Sequence, residues 1–486
     1  MAIALVWFRR DLRLHDNPAL QAALDAGDTP VPVYLHVPGE EMPWPVGAAS
    51  RVWLRRSLLA LDVSLRAIGS RLVVSEGESS LALLRELIQR TDALTVHWNR
   101  LYEPAAIARD TSIKQTLRGQ GIDVHSHDAA LMTEPWTVAT AQGTPYRVFT
   151  PFWRNARSQL RLQLVSEATA RLPPIDSLLE AAGAEWSTPA VARIDQVLPA
   201  PESAWDRNFW AQWTPGERGA HEMLDAFVDG AAGHYASQRN LPGRIGSSRL
   251  SPHLHFGEIS SRQIAQRLQS ATWTPTQEKS IDAYIRELGW REFAHYLLFH
   301  FPTSAQSDFN PRFKDFHWAE PDPHLLRAWQ HGRTGVPLVD AGMRELWHTG
   351  WMHNRVRMVV ASFLTKHLRI HWMHGARWFW DTLVDADLAN NSLGWQWTAG
   401  TGADAAPYFR VFNPVLQARR FDPKGVYVRR WLPGFSELPD NAQFEPWRFP
   451  DLLQQHAPDY PRLPIVDLAA GRAQALAAYA KVSVNQ

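Results

Sequence analysis

From residue 2 to about 128, short apolar runs alternate with amphipathic stretches. The runs IALVWF, VPVYLHV, RLVVSEG, LTVHWN and IDVHSHD predict strands, and residues 50–68, 79–90 and 104–119 carry apolar positions at helical spacing. Strands alternating with helices imply an α/β, doubly wound parallel sheet covered on both faces, with a ligand crevice at the carboxyl ends of its strands. From about residue 213 the period is helical throughout. Residues 219–228, 260–268, 276–301, 323–330, 344–370 and 469–481 predict helices, and so a large all-α domain closed by the last of them. Between these regions lie Pro-Pro at 173–174 and a Pro-Ala-rich run at 188–201, a density that argues against one regular element. The expected organisation is an α/β domain at 1–128, a linker at 129–212 that wraps the first domain onto the second, and a helical domain at 213–486.

Composition narrows the function. A chain of 486 residues has room for two to three cores. Its net charge of +1 excludes a globally basic nucleic-acid binder, so any DNA contact must come from a local patch. With no cysteine there is no disulfide, thiolate metal site or thiol nucleophile. No apolar run approaches membrane-spanning length, and MAIALVWFRRDLRLHD carries charges where a secretory signal has its apolar core, so a soluble cytoplasmic protein is expected. The 23 Trp against 10 Tyr fit two uses, packing and one-electron oxidation.

Candidate chemistry concentrates in residues 380–414, WDTLVDADLANNSLGWQWTAGTGADAAPYFRVFNP. Asp385 and Asp387 would diverge on a helix, but a turn lets both reach one polar object. Asn390 and Asn391 add uncharged donor-acceptor groups, and Trp395 and Trp397 add flat apolar bodies. The plainer alternative is an N-capped helix start followed by core indoles. In YASQRNLPGRIGSSRLS, residues 235–251, backbone amides and hydroxyls can cradle a diphosphate that Arg249 neutralises, although Ser-Gly loops are common. Glu287 and Trp290 share a helix face, and Glu287 could simply pair with Arg291 one turn on. Trp351, Asn354 and Met358 predict a stripe on one helical face, where a buried amide at 354 would need partners. Gly400, Gly402 and Ala405 fit a relaxed dinucleotide fingerprint, but no strand feeds them. His253 with His255, and His371 with His374, come without a carboxylate pattern, so no metal site is expected.

The string D-A-D-L-A-N-N-S-L-G-W-Q-W with T-G-A-D-A-A-P-Y-F-R-V-F-N-P resembles the flavin-binding heart of the photolyase and cryptochrome family, specifically the class I cyclobutane pyrimidine dimer photolyases of bacteria. The likeness covers almost the whole chain, including W-F-R-R-D-L-R-L-H-D-N-P-A-L at 7–20, which otherwise reads as a salt-bridged strand end. It implies FAD bound by Tyr235, Ser247, Ser248, Arg249, Leu250, Ser251, Tyr284, Asn354, Arg357, Asp385, Asp387 and Asn391. Arg357 would pair with Asp385 beneath the isoalloxazine, and Asn391 would stand at flavin N5, where plant cryptochromes have an acid. The lesion would meet Arg239, Glu287, Trp290, Asn354, Arg355, Met358 and Trp397. Relatives that repair (6-4) photoproducts have a histidine pair where this chain has Asn354 and Met358. Trp395, Trp372 and Trp318 would form an electron relay from flavin to surface.

The implied activity is light-driven repair of cyclobutane dimers in DNA, by electron transfer from excited, reduced anionic FAD to a flipped-out dimer; photolyases are a standing example of base flipping. Charge alone adds Arg429 and Arg430 to Arg355 as phosphate contacts. W-N-R-L-Y-E-P at 98–104 falls where some relatives hold a folate antenna through a glutamate, here Glu103. Gln306 stands where those relatives use a lysine, which leaves a deazaflavin, another flavin or no antenna open. A monomer acting on damaged DNA, with no membrane partner, is expected. The alternatives are a blue-light-sensing cryptochrome, opposed by Asn391 and the lack of a tail, a (6-4) photolyase, and a nicotinamide-dependent flavoenzyme.

Overall fold

Nearly unbroken apolar runs build the first domain. In the computed structural model, which describes residues 2–160, 171–183, 189–404 and 409–484, the five strands are β1 (Ile3–Phe8), β2 (Thr29–His36), β3 (Val73–Glu76), β4 (Thr95–Asn99) and β5 (Asp123–His127). All pair in parallel, in the order β3-β2-β1-β4-β5. Side chains alternate across β1. Ala4, Val6 and Phe8 pack with Val52, Trp53 and Leu61 on one face, whereas Leu5 and Trp7 pack with Leu84, Leu87, Ile113 and Leu117 on the other. The crossover helices are α1 (Pro18–Asp25), α2 (Ala48–Ala67), α3 (Ser80–Thr91) and α4 (Pro104–Gly119). Helix α1 escaped the periodicity reading because it has only eight residues; it is started by Asn17, whose side chain accepts the Leu20 N–H, with Pro18 in its first turn.

The region from 129 to 212 is more than a linker. Its Phe149–Gln159 helix buries Phe149, Phe152, Trp153 and Ala156 in the helical domain's core. Its Ala190–Val197 helix buries Ala190, Ile194 and Val197 against the sheet domain. Apolar residues at 149, 152, 153 and 156 were a legible signal of the first of these.

In the second domain the Pro275–His300 helix, started by a reciprocal Thr274–Gln277 cap, is the central element. The single helix expected over 344–370 is instead three pieces: Pro337–Thr349, Asn354–Ser362 and a wide π turn at Phe363–His367. The break lies at Gly350, which is left-handed at φ +68°, and a Cβ there would stand 2.7 Å from both Phe209 and Val384. Thr349 Oγ1 then accepts the Trp351 N–H at 3.1 Å, and His353 Nδ1 accepts from Arg355 N to restart the helix.

Buried polar bonds join the domains. The Arg13 guanidinium donates to the carbonyls of Asp16, Gly257 and Ala129 at 2.6, 2.9 and 3.2 Å. Glu258 accepts from Trp53 Nε1 at 3.1 Å, Gly216 N at 2.7 Å and Ser57 Oγ. Among the described residues no helix is long and apolar enough to cross a membrane.

Candidate functional site

Residues 239–250, ending in Ser247, Ser248, Arg249 and Leu250, form the loop that joins the Tyr235–Gln238 and Ser251–His255 helices. Arg249 sits in it with φ +56°, a conformation strained for a non-glycine residue. Packing holds it there. Its guanidinium lies 4.4 Å from the Trp213 ring centre and 5.0 Å from that of Trp351, and donates to Gln212 Oε1 at 2.7 Å. Arg249 Nε is buried without a hydrogen-bond partner and burial lowers the side chain's pKa, so an anion at the loop would relieve both penalties. Ser247, Ser248 and Arg249 line a cavity of about 540 Å³ together with Gln212, Phe227 and Gln238. Ser248 Oγ accepts from Tyr284 Oη at 2.8 Å and from Leu250 N at 3.3 Å, and Tyr235 packs edge-on against Tyr284 at 5.0 Å.

Glu287 does not pair with Arg291. Its carboxylate takes the Arg239 guanidinium in an ion pair, while Arg291 donates to Ala130 O at 2.7 Å and lies 3.6 Å from Glu292. One turn on, half-buried Trp290 stacks on Phe149 with ring centres 3.8 Å apart and planes 10° apart. Phe149 was missed because it falls in the stretch assigned to the linker.

Trp351 leaves the stripe expected for it. It lies in the break before the Asn354–Ser362 helix, and its indole donates to Ser251 Oγ at 3.1 Å. Asn354 is not a buried amide: it opens that helix and is exposed, while Met358 is half-buried one turn on. Arg355 donates to Asn240 Oδ1 at 2.8 Å and lies 4.5 Å from the Phe421 ring. Arg239, Arg410 and Arg420 are close enough to Arg355 to lower its pKa after the effect of burial, so four arginines form one positive patch. Of the pair suggested by charge alone, Arg429 bonds Asp440 at 2.6 Å and the Lys424 carbonyl at 3.0 Å, whereas Arg430 is exposed.

The two aspartates do not meet one object. Asp385 is bound by Arg357 Nη2 through both oxygens, at 3.0 and 2.8 Å, with Arg357 Nε held by Met352 O. Asp387 caps the Leu388–Ala399 helix through the Asn390 N–H at 2.8 Å and turns toward His295 and His255, 3.6 and 3.8 Å away. The segment is thus a capped helix start, as the plainer reading has it, and the Asp385 ion pair stands apart from it on the Arg357 side. Asn391 Nδ2 donates to Ala376 O at 3.0 Å. Gly400 ends the helix, and Ala405 of the relaxed fingerprint lies outside the described residues.

Trp395 is buried edge-on to Phe379 at 5.0 Å and Trp329 at 6.1 Å, and a Cβ at Gly375 would come within 2.0 Å of its ring. Trp372 is fully buried with its indole N–H on Asp308 at 2.7 Å. His371 lies between Trp372 and partly exposed Trp318, with ring centres 5.5 and 5.0 Å away. Trp397 is half-buried on the same helix as Trp395.

A second cavity opens where the strand order reverses, at the carboxyl ends of the strands, as the sheet topology requires. Trp7, Tyr34, Trp44, Glu103, Gln306 and Trp380 line it. Glu103 is paired with Arg10 at 2.5 Å, which outweighs burial and lowers its pKa. The histidines expected to lack carboxylates do not all lack them: His253 Nδ1 is 2.5 Å from Glu258 Oε2, five residues on, and both are fully buried.

Two family models match the chain. One, described as DNA photolyase, matches residues 4–174, and the other, the FAD binding domain of DNA photolyase, matches residues 284–481. A deoxyribodipyrimidine photo-lyase of Agrobacterium fabrum is 45% identical over 99% of this chain and 98% of its own length. Cryptochrome-1 of Arabidopsis thaliana is 38% identical over 97% of this chain and 69% of its own. The crystal structure of a bacterial class III photolyase from Agrobacterium tumefaciens superposes with a TM-score of 0.91 at 42% identity, covering 99% of this chain and 98% of that one. The motifs had suggested class I; the superposed structure is described as class III. An archaeal photolyase from Sulfolobus tokodaii with two FAD molecules superposes at 0.78 with 29% identity, covering 98% of this chain and 99% of that one.

Proposed function

We infer the reaction from a premise: this chain belongs to the photolyase/cryptochrome family, carries its FAD-binding domain and is an enzyme of the photolyase kind. We propose that it repairs cyclobutane pyrimidine dimers in DNA under blue or near-ultraviolet light. One observation carries this reading. Tyr284, Glu287 and Trp290 succeed one another at helical spacing on Pro275–His300, so the helix that anchors the Ser248 loop also presents a carboxylate and an indole beside it.

FAD would lie with its diphosphate at Ser247, Ser248, Arg249, Leu250 and Ser251, against Tyr235 and Tyr284, and its ring system near Asn354, Arg357, Asp385 and Asn391. Asp387, turned toward His255 and His295, would act through its helix cap. Held there in its reduced, anionic form, FAD would supply the light-driven electron for splitting the cyclobutane ring and would take it back afterwards. Glu287, held by Arg239, would accept hydrogen bonds from the damaged bases, and Trp290, braced by Phe149, would give them an apolar surface. Trp397, Met358 and Asn354 would complete the lesion's contacts. The Arg239, Arg355, Arg410 and Arg420 patch would hold phosphates around the flipped lesion. Trp318, Trp372 and Trp395 would pass electrons inward when the cofactor needs reducing. The aromatic crevice of the first domain would take a second chromophore, and Gln306 argues against folate. We take the protein to act as a cytoplasmic monomer.

Cryptochrome relatives make light sensing the second reading, which Asn391 opposes. Reduced protein given DNA with a defined cyclobutane dimer and illuminated should restore thymine absorbance. Repair of (6-4) lesions instead, or of neither lesion, would overturn the proposal.

A further inference from the structure

Where the loop after β1 meets the Glu217–Asp229 helix, three potential metal ligands converge from both domains. His15 Nδ1 lies 2.7 Å from Glu217 Oε1. His221 is one turn after Glu217 on the same helix face, and the His15 and His221 ring centres are 5.8 Å apart. One ligand atom of each residue lies within 4.8 Å of those of the other two. The Glu217 carboxylate is fixed from behind, since its two oxygens accept the backbone N–H groups of Leu14 and His15 at 2.8 and 2.9 Å. His221 Nε2 is buried and has no hydrogen-bond partner.

We propose that His15, Glu217 and His221 form a site for one divalent transition-metal ion of the zinc class, clamping the sheet domain to the helical domain. Two imidazoles and a carboxylate are a three-ligand zinc set that leaves a fourth position for water, and the exposed side of His15 faces solvent. Ligand bonds of about 2.0–2.2 Å put neighbouring donor atoms about 3.3 Å apart, so the site closes by rotation of the exposed His15 ring. The ion would take the place of the 2.7 Å hydrogen bond between His15 Nδ1 and Glu217 Oε1. The nearest further charges are committed elsewhere: Arg13 to the Asp16 and Gly257 carbonyls, and Asp225 to Arg267 at 2.9 Å. Backbone bonds that hold a ligating carboxylate in place are typical support for such sites. Sequence spacing hides the site because His15 and Glu217 are 202 residues apart.

Tag-free protein, dialysed against chelator and titrated with Co(II), should bind one ion per chain with a Kd tighter than about 100 μM, develop visible d–d absorption and lose it to Zn(II). His15→Ala and His221→Ala should each weaken binding at least about tenfold, the smaller loss known for residues that only support a metal ligand. Flavin absorbance and far-ultraviolet circular dichroism serve to show that both variants are folded. Weaker binding by the native chain, or a smaller loss in either folded variant, overturns the inference.

Discussion

Two of the cavities among the described residues handle charge in different ways. In the crevice of the sheet domain the charges are paired, Arg10 with Glu103 and Arg9 with Asp110 at 2.6 Å, and Glu40 accepts the Ser80 N–H at 2.8 Å, but Arg9 Nε and the indole N–H groups of Trp7 and Trp44 are buried without partners. What it offers a guest is aromatic surface, Trp7, Tyr34, Trp44 and Trp380, with those few N–H donors, so shape and hydrogen-bond acceptors rather than charge would select it. In the helical domain the loop at 247–251 keeps a strained arginine with an unpartnered Nε, and a buried carboxylate at 385 depends on one guanidinium. A polar guest would relieve the strained arginine of the 247–251 loop, whereas in the sheet-domain crevice the ion pairs stand without a guest and only N–H donors await an acceptor.

That difference can be broken most severely at Arg357. Its loss strands Asp385, whose side chain is 4% exposed, at about 3–5 kcal/mol for a broken buried pair. Arg357→Ala should therefore purify with little flavin and a much lower Tm, read by flavin absorbance per chain and by calorimetry. Next comes the relay, where Trp372→Phe should slow photoreduction by about tenfold or more while leaving repair by chemically reduced protein intact; equal loss of both would refute the role. Glu287→Ala should cost about tenfold in repair, the size of a charge-assisted hydrogen bond, measured as repaired dimers per absorbed photon.

A fourth, smaller effect concerns pH. Burial pushes Glu345 up to about 7 from its usual 4.5, despite hydrogen bonds from Tyr427 at 2.6 Å and the His353 N–H at 3.2 Å. The folded chain then holds a proton that the unfolded chain has released, so stability should fall as pH rises from 4.5 to 7. Glu345→Gln should flatten that decline in Tm. The mildest change is Arg355→Ala, which should lower the slope of log affinity against log salt by about one for a single lost phosphate contact.

The sheet domain was readable because parallel strands buried on both faces leave uninterrupted apolar runs, and all five came out within about two residues of their observed ends. The helical domain was readable by period but not at its breaks. Gly350 interrupts a pattern whose apolar spacing continues on either side, and with it Trp351 moves from the stripe to the Ser251 loop. Position 354 fared similarly: an amide among apolar neighbours implied burial, yet it opens a helix in an exposed position. Residue pattern alone did not reach partners distant in sequence; the Arg357–Asp385 pair was expected only through the family resemblance. Nothing near Glu287 announces Arg239, and Phe149 gains its meaning only when Trp290 lies on it.

Gly375 carries a consequence for how this chain can vary. With the ring of Trp395 occupying the volume where any other residue would begin its side chain, the indole's position is set by a hydrogen atom on a neighbouring helix. A mutational scan should find residue 375 as intolerant as residue 395 itself. An engineer wishing to shift that aromatic ring could do so by editing its silent neighbour.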